Sequence, residues 1–364
     1  MALESRTANA RIEIESVEDF GEVTRQHEDP QATVGVTDNP SSRKPGGFWV
    51  GKRAIVAGGT GFLGRRMAER LHTLGASVTS CSRKGGCDLR DRTQAERFFA
   101  DARPEVVFNF AANQGGVRYQ ELCPASILHD NLLIAINTME AARVAGAARY
   151  VNIVAACAYP GEPVGGLLRE DEIEAGPMHP SADNYGIVKR VALMQAKHYR
   201  RQYGLASSSI CLANSYGPRD HFHPDRSHAL AALVRRFYEA KRDCLPEVVI
   251  WGRGIAERDW LFADDAITGI LLTLERCPDV PLINIGNGRG WTIAELSEII
   301  CDEVGYEGTL AYDASKPEGP LKKTMDTCRM HELLDWTPPT SLRCGVRETV
   351  IWFDANYLDA IHGN

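Results

Sequence analysis

No run of about 18 consecutive apolar residues occurs in the 364-residue chain, which argues against a membrane-spanning helix. No basic block occurs either. Lys and Arg total 41 against 48 Asp and Glu, a net charge of -7, so electrostatic binding to nucleic acid is not expected. The N-terminus has no apolar stretch behind a basic start, so a secretory signal is not expected. None of the ten cysteines forms a CxxC pair or stands near His at metal-ligand spacing. Zinc is therefore disfavoured, and the scattered cysteines read as buried thiols of a protein working in a reducing cytosol. A solenoid repeat is also missing. With 44% hydrophobic and 24% charged residues, the composition is that of a globular protein with a large core.

Residues 1–47 differ from the rest. Nine acidic residues face five basic ones, and the stretch ends in Asn39-Pro-Ser-Ser-Arg-Lys-Pro-Gly-Gly47, the composition of a linker. We read it as an extension, with Ile12–Phe20 able to form one short element. From Arg53 a regular alternation begins. Strands are expected at Arg53–Ala57, Ser77–Cys81, Val106–Phe110, Tyr150–Val154 and Ser207–Leu212. Helices are expected at 61–75, 93–102, 124–146 and 185–203, which implies βαβ units around a parallel sheet. After Leu212 the pattern becomes irregular. Strands at Val248–Trp251 and Leu282–Ile285, and a helix capped by Thr292, suggest a smaller lobe interleaved with returns to the main sheet.

Gly58-Gly-Thr60-Gly61-Phe62-Leu63-Gly64 lies between the first strand and the first helix. In that context glycine serves the tight turn at 58, close approach to a pyrophosphate at 61, and helix–strand packing at 64. The helix N-terminus then meets the phosphates. The second strand runs into Ser82-Arg83-Lys84, where an NAD site would place an acid for the ribose 2′-hydroxyl. A hydroxyl and two cations favour a 2′-phosphate, hence NADP(H) over NAD(H). Asp88 and Leu89 follow at the adenine side.

Tyr185-Gly-Ile-Val-Lys189 begins a helix and puts Tyr and Lys one turn apart on one face. A nearby ammonium stabilises phenolate, which makes the tyrosine usable as an acid or base. Alone the pair is a common surface feature; after the fourth strand of a dinucleotide fold it is the expected place for hydride chemistry.

With these motifs the chain resembles the extended short-chain dehydrogenase/reductases, and within them the GDP-L-fucose synthases, with the GDP-mannose 3,5-epimerases as relatives. The resemblance runs from about Arg53 to Phe353. It is carried by Asn109-Phe-Ala111-Ala112-Asn-Gln-Gly-Gly116, by Ala156-Cys157-Ala-Tyr159-Pro160, and above all by Asn214-Ser-Tyr-Gly-Pro-Arg-Asp-His-Phe-His-Pro-Asp-Arg-Ser-His228. Trp251 to Asp265 and Asp313 to Lys323 extend it into the second half. It implies an α/β fold: a Rossmann-type doubly wound parallel sheet over 48–213, with returns from 248–285, and a smaller C-terminal α/β substrate lobe over 214–364. It implies a nucleotide-sugar substrate, GDP-linked in this family. Ala111 and Ala112 would join the glycine turn in holding the cofactor. Cys157 and His228 match the family's acid and base beside a sugar ketone. Arg236, Arg258 and Lys323 match positions on the diphosphate. Trp251 either flanks the nucleotide or belongs to the core. Asn131 and Asn214 either shape the active site or are satisfied buried amides.

Two departures stand out. The family serine two residues before the cysteine, which hydrogen-bonds the sugar oxygen, is Ala155 here. The basic residue that fucose synthases carry in the glycine loop is Thr60. The expected activity is that of an NAD(P)-dependent nucleotide-sugar epimerase/reductase. The alternatives are a redox-neutral epimerase on an unusual GDP-sugar, or a catalytically weak NAD(P)-binding sensor or scaffold. Helices 124–146 and 185–203 carry apolar residues on more than one face, among them Leu132, Leu133, Ile136, Val191, Leu193 and Met194, as expected of an intersubunit four-helix bundle in a homodimer.

Overall fold

The computed structural model describes residues 47–316 and 319–362; the expected element at 12–20 lies outside them. Six strands form an all-parallel sheet: β1 (Arg53–Ala57), β2 (Ser77–Cys81), β3 (Val106–Asn109), β4 (Arg149–Ala155), β5 (Ala206–Leu212) and β6 (Leu282–Ile285), in the spatial order β6-β5-β4-β3-β1-β2. The helices among the described residues are α1 (Phe62–Thr73), α2 (Arg92–Ala102), α3 (Val117–Leu122), α4 (Pro124–Val144), α5 (Asp183–Tyr203), α6 (Ala229–Arg242), α7 (Ala263–Arg276), α8 (Ile293–Val304), α9 (Cys328–Leu334), α10 (Leu342–Ala355) and α11 (Tyr357–His362).

Both sheet faces are buried, and the two-residue period of a strand divides them. In β1, Ala54 and Val56 join the cluster of Trp49, Met67, Leu71, Ile267 and Ile270 under α1 and α7. Ile55 and Ala57 join Phe99, Met139, Ala142 and Ala196 under α2, α4 and α5. Buried on both sides, Arg53-Ala-Ile-Val-Ala57 is apolar after its first residue.

Register aligns the carboxyl ends. Ala57 stands beside Cys81 and Asn109, and Ala155 beside Leu212, which neighbours Ile285. Ligands of open α/β sheets bind along this edge.

The second core gathers Phe222, Leu230, Val234, Phe237, Leu296, Ile300 and Phe353 around α6 and α8. Thr292 caps α8 in a reciprocal arrangement with Glu295, and Gly305 ends the helix in the left-handed region at φ +69°. Of the segment 248–285, expected to supply returns to the main sheet, Leu282–Ile285 does so, and α7 packs on that sheet through Ile267 and Ile270. Glu247–Trp251 instead pairs with Thr309–Asp313 as a separate parallel pair. Its alternating burial explains this: Val248 and Ile250 face the second core while Val249 and Trp251 face outward.

Candidate active site

At the carboxyl edge of the sheet lies a cavity of about 1210 Å3, larger than one drug-sized ligand requires. Eleven Lys and Arg residues line it against four Asp, although the chain as a whole is acidic. Such a site favours an anion.

The glycine turn forms one wall. Gly58 sits at φ +77°, and a Cβ there would lie 2.8 Å from the Ala111 amide nitrogen; one on Gly64 would lie 2.2 Å from the Gly58 carbonyl oxygen. Only glycine fits either position. Helix α1 starts without a side-chain cap and without an acid in its first turn. Its first N–H groups are thus left for an anion, which suits the pyrophosphate of a dinucleotide.

Beyond β2, Ser82 accepts from the Gly85 amide at 3.1 Å and caps the short turn that carries Arg83 and Lys84, both exposed at the cavity rim. The Asp88 carboxylate is gripped by Arg90 at 2.9, 3.1 and 2.5 Å, which holds its pKa below the usual carboxylate range. Arg90 also reaches Asp130 of α4 at 3.1 Å, and Asn137 donates to the Leu89 and Arg90 carbonyls. Leu89 is thereby fixed as an apolar wall for a base.

Helix α5 carries Tyr185 and Lys189, 6% and 9% exposed. The Lys189 ammonium donates to the Ile153 carbonyl of β4 at 2.8 Å. Burial pulls its pKa down to about 8, while burial pushes the Tyr185 phenol up. Next to them, β4 ends at Ala155 and turns through Cys157. Gly186 lets α5 approach this turn: a Cβ on it would stand 2.3 Å from the Cys157 carbonyl oxygen. Arg190 donates to the Ala158 carbonyl at 2.6 Å. Helix α5 and the cysteine turn are thus pressed together by two consecutive helical turns.

From the second core comes His228, just before α6. Burial, followed by the charges of His221 and Lys323, brings its pKa down to about 4. Burial raises the Cys157 thiol, opposed by the Lys323 and Lys189 ammonium groups. Arg236 lies over the Trp251 ring at 5.1 Å and donates to the Val249 carbonyl. Trp251 is 36% exposed and lines the cavity, so it is no core residue. Arg258 donates to the Pro320 carbonyl at 2.7 Å.

Every expected site residue lines this cavity except Asn131. Its amide accepts from the Asn113 N–H and donates to the Asn113 and Ile127 carbonyls, at 2.8, 2.8 and 2.7 Å. It is a satisfied buried amide that shapes the Asn113 loop and leaves no donor for a substrate. Asn214 does line the cavity and donates to the Asp259 carbonyl. Sequence reading passed over Asp220 and His221, which also line it. Their only signal was position within the Asn214–His228 stretch. It passed over Gly186 too, whose signal is a helix-weakening glycine directly after the tyrosine.

The model of the NAD dependent epimerase/dehydratase family matches residues 54–286. A probable GDP-L-fucose synthase of Oryza sativa subsp. japonica is 33% identical over 314 residues, covering 85% of this chain and 94% of that protein. GDP-L-fucose synthase of Escherichia coli is 33% identical over 314 residues, covering 84% and 97%. Among solved structures, a GDP-L-fucose synthetase of Naegleria fowleri bound to NADP superposes with a TM-score of 0.78 at 24% identity, over 85% of this chain and 96% of that one. A GDP-6-OMe-4-keto-L-xylo-heptose reductase of Campylobacter jejuni gives 0.79 at 23%, over 84% and 98%. The chain belongs to the NAD-dependent epimerase/dehydratase family, and within it is similar to the GDP-L-fucose synthases.

Proposed function

We propose that the protein is an NADP(H)-dependent epimerase/reductase of a GDP-linked keto-sugar, working in a reducing compartment as a homodimer. The observation that carries this reading is the convergence of Tyr185, Lys189, Cys157 and His228 on one cation-lined cavity. The similarity to GDP-L-fucose synthases supplies the guanosine diphosphate.

The first-turn N–H groups of α1 hold the cofactor pyrophosphate, Arg83 and Lys84 its 2′-phosphate, and Leu89 its base. When bound, the cofactor supplies a hydride to the carbonyl carbon of the sugar. Tyr185 gives its phenolic proton to the carbonyl oxygen as the hydride arrives, and the Lys189 charge eases the loss of that proton. Cys157 and His228 serve the carbon beside the ketone, whose C–H the carbonyl acidifies. One removes that proton and the other returns one to the opposite face. A neutral imidazole with a thiol holds one transferable proton between two groups, which is what a single inversion needs. Arg236, Arg258 and Lys323 bind the diphosphate, Arg by bidentate contact and Lys as a point charge.

Ala155 favours an unusual sugar over the substrate of the fucose synthases, and a redox-neutral epimerase acting on such a sugar is the second reading. Its methyl lies on the cavity wall where the family serine would donate to the sugar oxygen. Loss of one such donor elsewhere costs about 10²–10³ in rate.

Incubation with GDP- and UDP-sugars, with and without NADPH, separates the readings. We expect NADPH oxidation with a GDP-4-keto-sugar, abolished by Tyr185→Phe. Cys157→Ser should block solvent-deuterium incorporation beside the ketone. Epimerisation without NADPH consumption would support the second reading, and turnover of UDP-sugars alone would overturn the assignment to GDP. The dimer reading rests on Ile136 and Val144 of α4 and Ile187 and Met194 of α5, large apolar side chains left at the surface. Light scattering at micromolar concentration should give twice the chain mass.

A further inference from the structure

Two loops grip each other across the mouth of the cavity, one following β3 and one preceding α6. The Gly116 amide donates to the Arg226 carbonyl at 3.1 Å. The Arg226 guanidinium lies 4.7 Å from the centre of the Tyr119 ring and donates to Asn113 Oδ1 at 3.3 Å. The Tyr119 hydroxyl donates to the same Asn113 oxygen at 2.8 Å, and Arg118 pairs with Asp225 at 3.5 Å. Asn113 is in turn held through its backbone by Asn131 of α4. At the centre of the clasp Gly116 has no room for a side chain, because a Cβ would lie 2.2 Å from the Ser227 carbonyl oxygen. Ser227 immediately precedes His228.

We propose that this clasp is the positioning device for His228, with Gly116, Tyr119 and Arg226 as its positioning residues. The inference rests on the reading of His228 as a proton-transfer group. His228 lies just before α6, on the lobe side of the cavity, whereas Tyr185, Lys189 and Cys157 stand on the main-sheet side. Proton transfer needs heavy atoms within about 2.6–3.2 Å, and a misplacement of about 1 Å can cost roughly 10²-fold. Something must therefore register one side against the other. The clasp does so directly: a backbone hydrogen bond and a contact that admits no Cβ fix the chain one and two residues before His228. The Arg226 guanidinium fork, stacked on one residue and bonded to another, resists rotation in a way a lysine would not.

The test compares Gly116→Ala, Arg226→Ala, Arg226→Lys and His228→Asn in the full chain. Solvent-deuterium incorporation into GDP-4-keto-6-deoxymannose and the NADPH dissociation constant are measured for each. We expect Gly116→Ala and Arg226→Ala to slow incorporation by about 10²-fold while NADPH affinity stays within about twofold. Arg226→Lys should recover only part of the loss. On a His228→Asn background, Gly116→Ala should cost nothing further, because residues acting through one group are not additive. Additive losses on the residual incorporation of His228→Asn, or incorporation at the parent rate in both clasp variants while His228→Asn is slowed by about 10²-fold or more, would overturn the positioning role alone. Incorporation at the parent rate in His228→Asn would overturn the role of His228, and the clasp proposal with it. Should Gly116→Ala fail to fold, Arg226→Ala, which leaves the backbone contact intact, decides.

Discussion

The Lys189 ammonium stands 5.0 Å from the centre of the Tyr185 ring, one helical turn along α5. This charge is present below about pH 8 and lost above it, because burial has brought the lysine down to that value. The phenol has then lost the neighbour that eases its deprotonation. We therefore expect kcat/KM for hydride transfer to fall as pH rises through about 8. In Lys189→Arg, whose side chain stays charged, that alkaline limb should vanish from the profile even if the maximum is lower.

Arg83 stands exposed at the rim beyond β2, where a 2′-phosphate would distinguish the two nicotinamide cofactors. A charge-assisted hydrogen bond contributes about 1.5–3 kcal/mol, so Arg83→Ala should weaken NADPH binding by roughly 10- to 100-fold. NADH binding should change little. Fluorescence titration with both cofactors checks this, and equal losses would reduce Arg83 to solvated surface.

Ala155→Ser places a hydroxyl on the cavity wall between Tyr185 and the cysteine turn. If the sugar lies in the family's pose, single-turnover hydride transfer should quicken several-fold, with NADPH affinity unchanged. An unchanged rate would mean that the sugar oxygen is held elsewhere, and the roles inferred from resemblance would need to be reassigned.

Asp220 offers a stability test. Burial raises its pKa to about 7 from 3.8, against the opposing hydrogen bond from the His221 amide at 2.7 Å and the charge of Arg66. Between those two values the folded protein keeps a proton that the unfolded chain has released, so stability falls as pH rises through that window. The penalty is complete above about pH 7 and amounts to at most about 4 kcal/mol. Asp220→Asn removes it while the amide oxygen still accepts from His221. The Tm of the variant should match the parent near pH 4 and exceed it at pH 8.

What could be read from the sequence follows from how local each signal is. The strands β1, β2 and β6 and the glycine turn each rest on a few adjacent residues, and the structure has them where the periodicity predicts. The Tyr185–Lys189 pair rests on helical spacing together with its place after the fourth strand. Asn131 was left between two readings because an amide that binds a sugar and one that clamps a loop look alike until their partners are known. Val248–Trp251 was expected to return to the main sheet because strand periodicity does not name the partner strand; its Thr309–Asp313 neighbour lies far along the chain. The steric roles of Gly116 and Gly186 escaped for the same reason. Each answers a steric demand from a distant segment, the Ser227 carbonyl in one case and the Cys157 carbonyl in the other.

The interleaved order of the strands also bears on how the chain is made. Strand β5 is complete at Leu212, but its outer neighbour β6 begins only at Leu282, about 70 residues later. At about 5–20 residues per second of synthesis, that edge waits roughly 4–14 s for its partner. An unpaired edge is a template for joining other chains. The waiting strand reads Ala-Ser-Ser-Ser-Ile-Cys-Leu, and its hydroxyls end up bonded inward, Ser207 to the Ala196 carbonyl and Ser208 to the Pro278 carbonyl. An edge with three serines in seven residues is a poorer template for strangers than an all-apolar one, so the composition that makes β5 a modest core strand suits a strand that must wait.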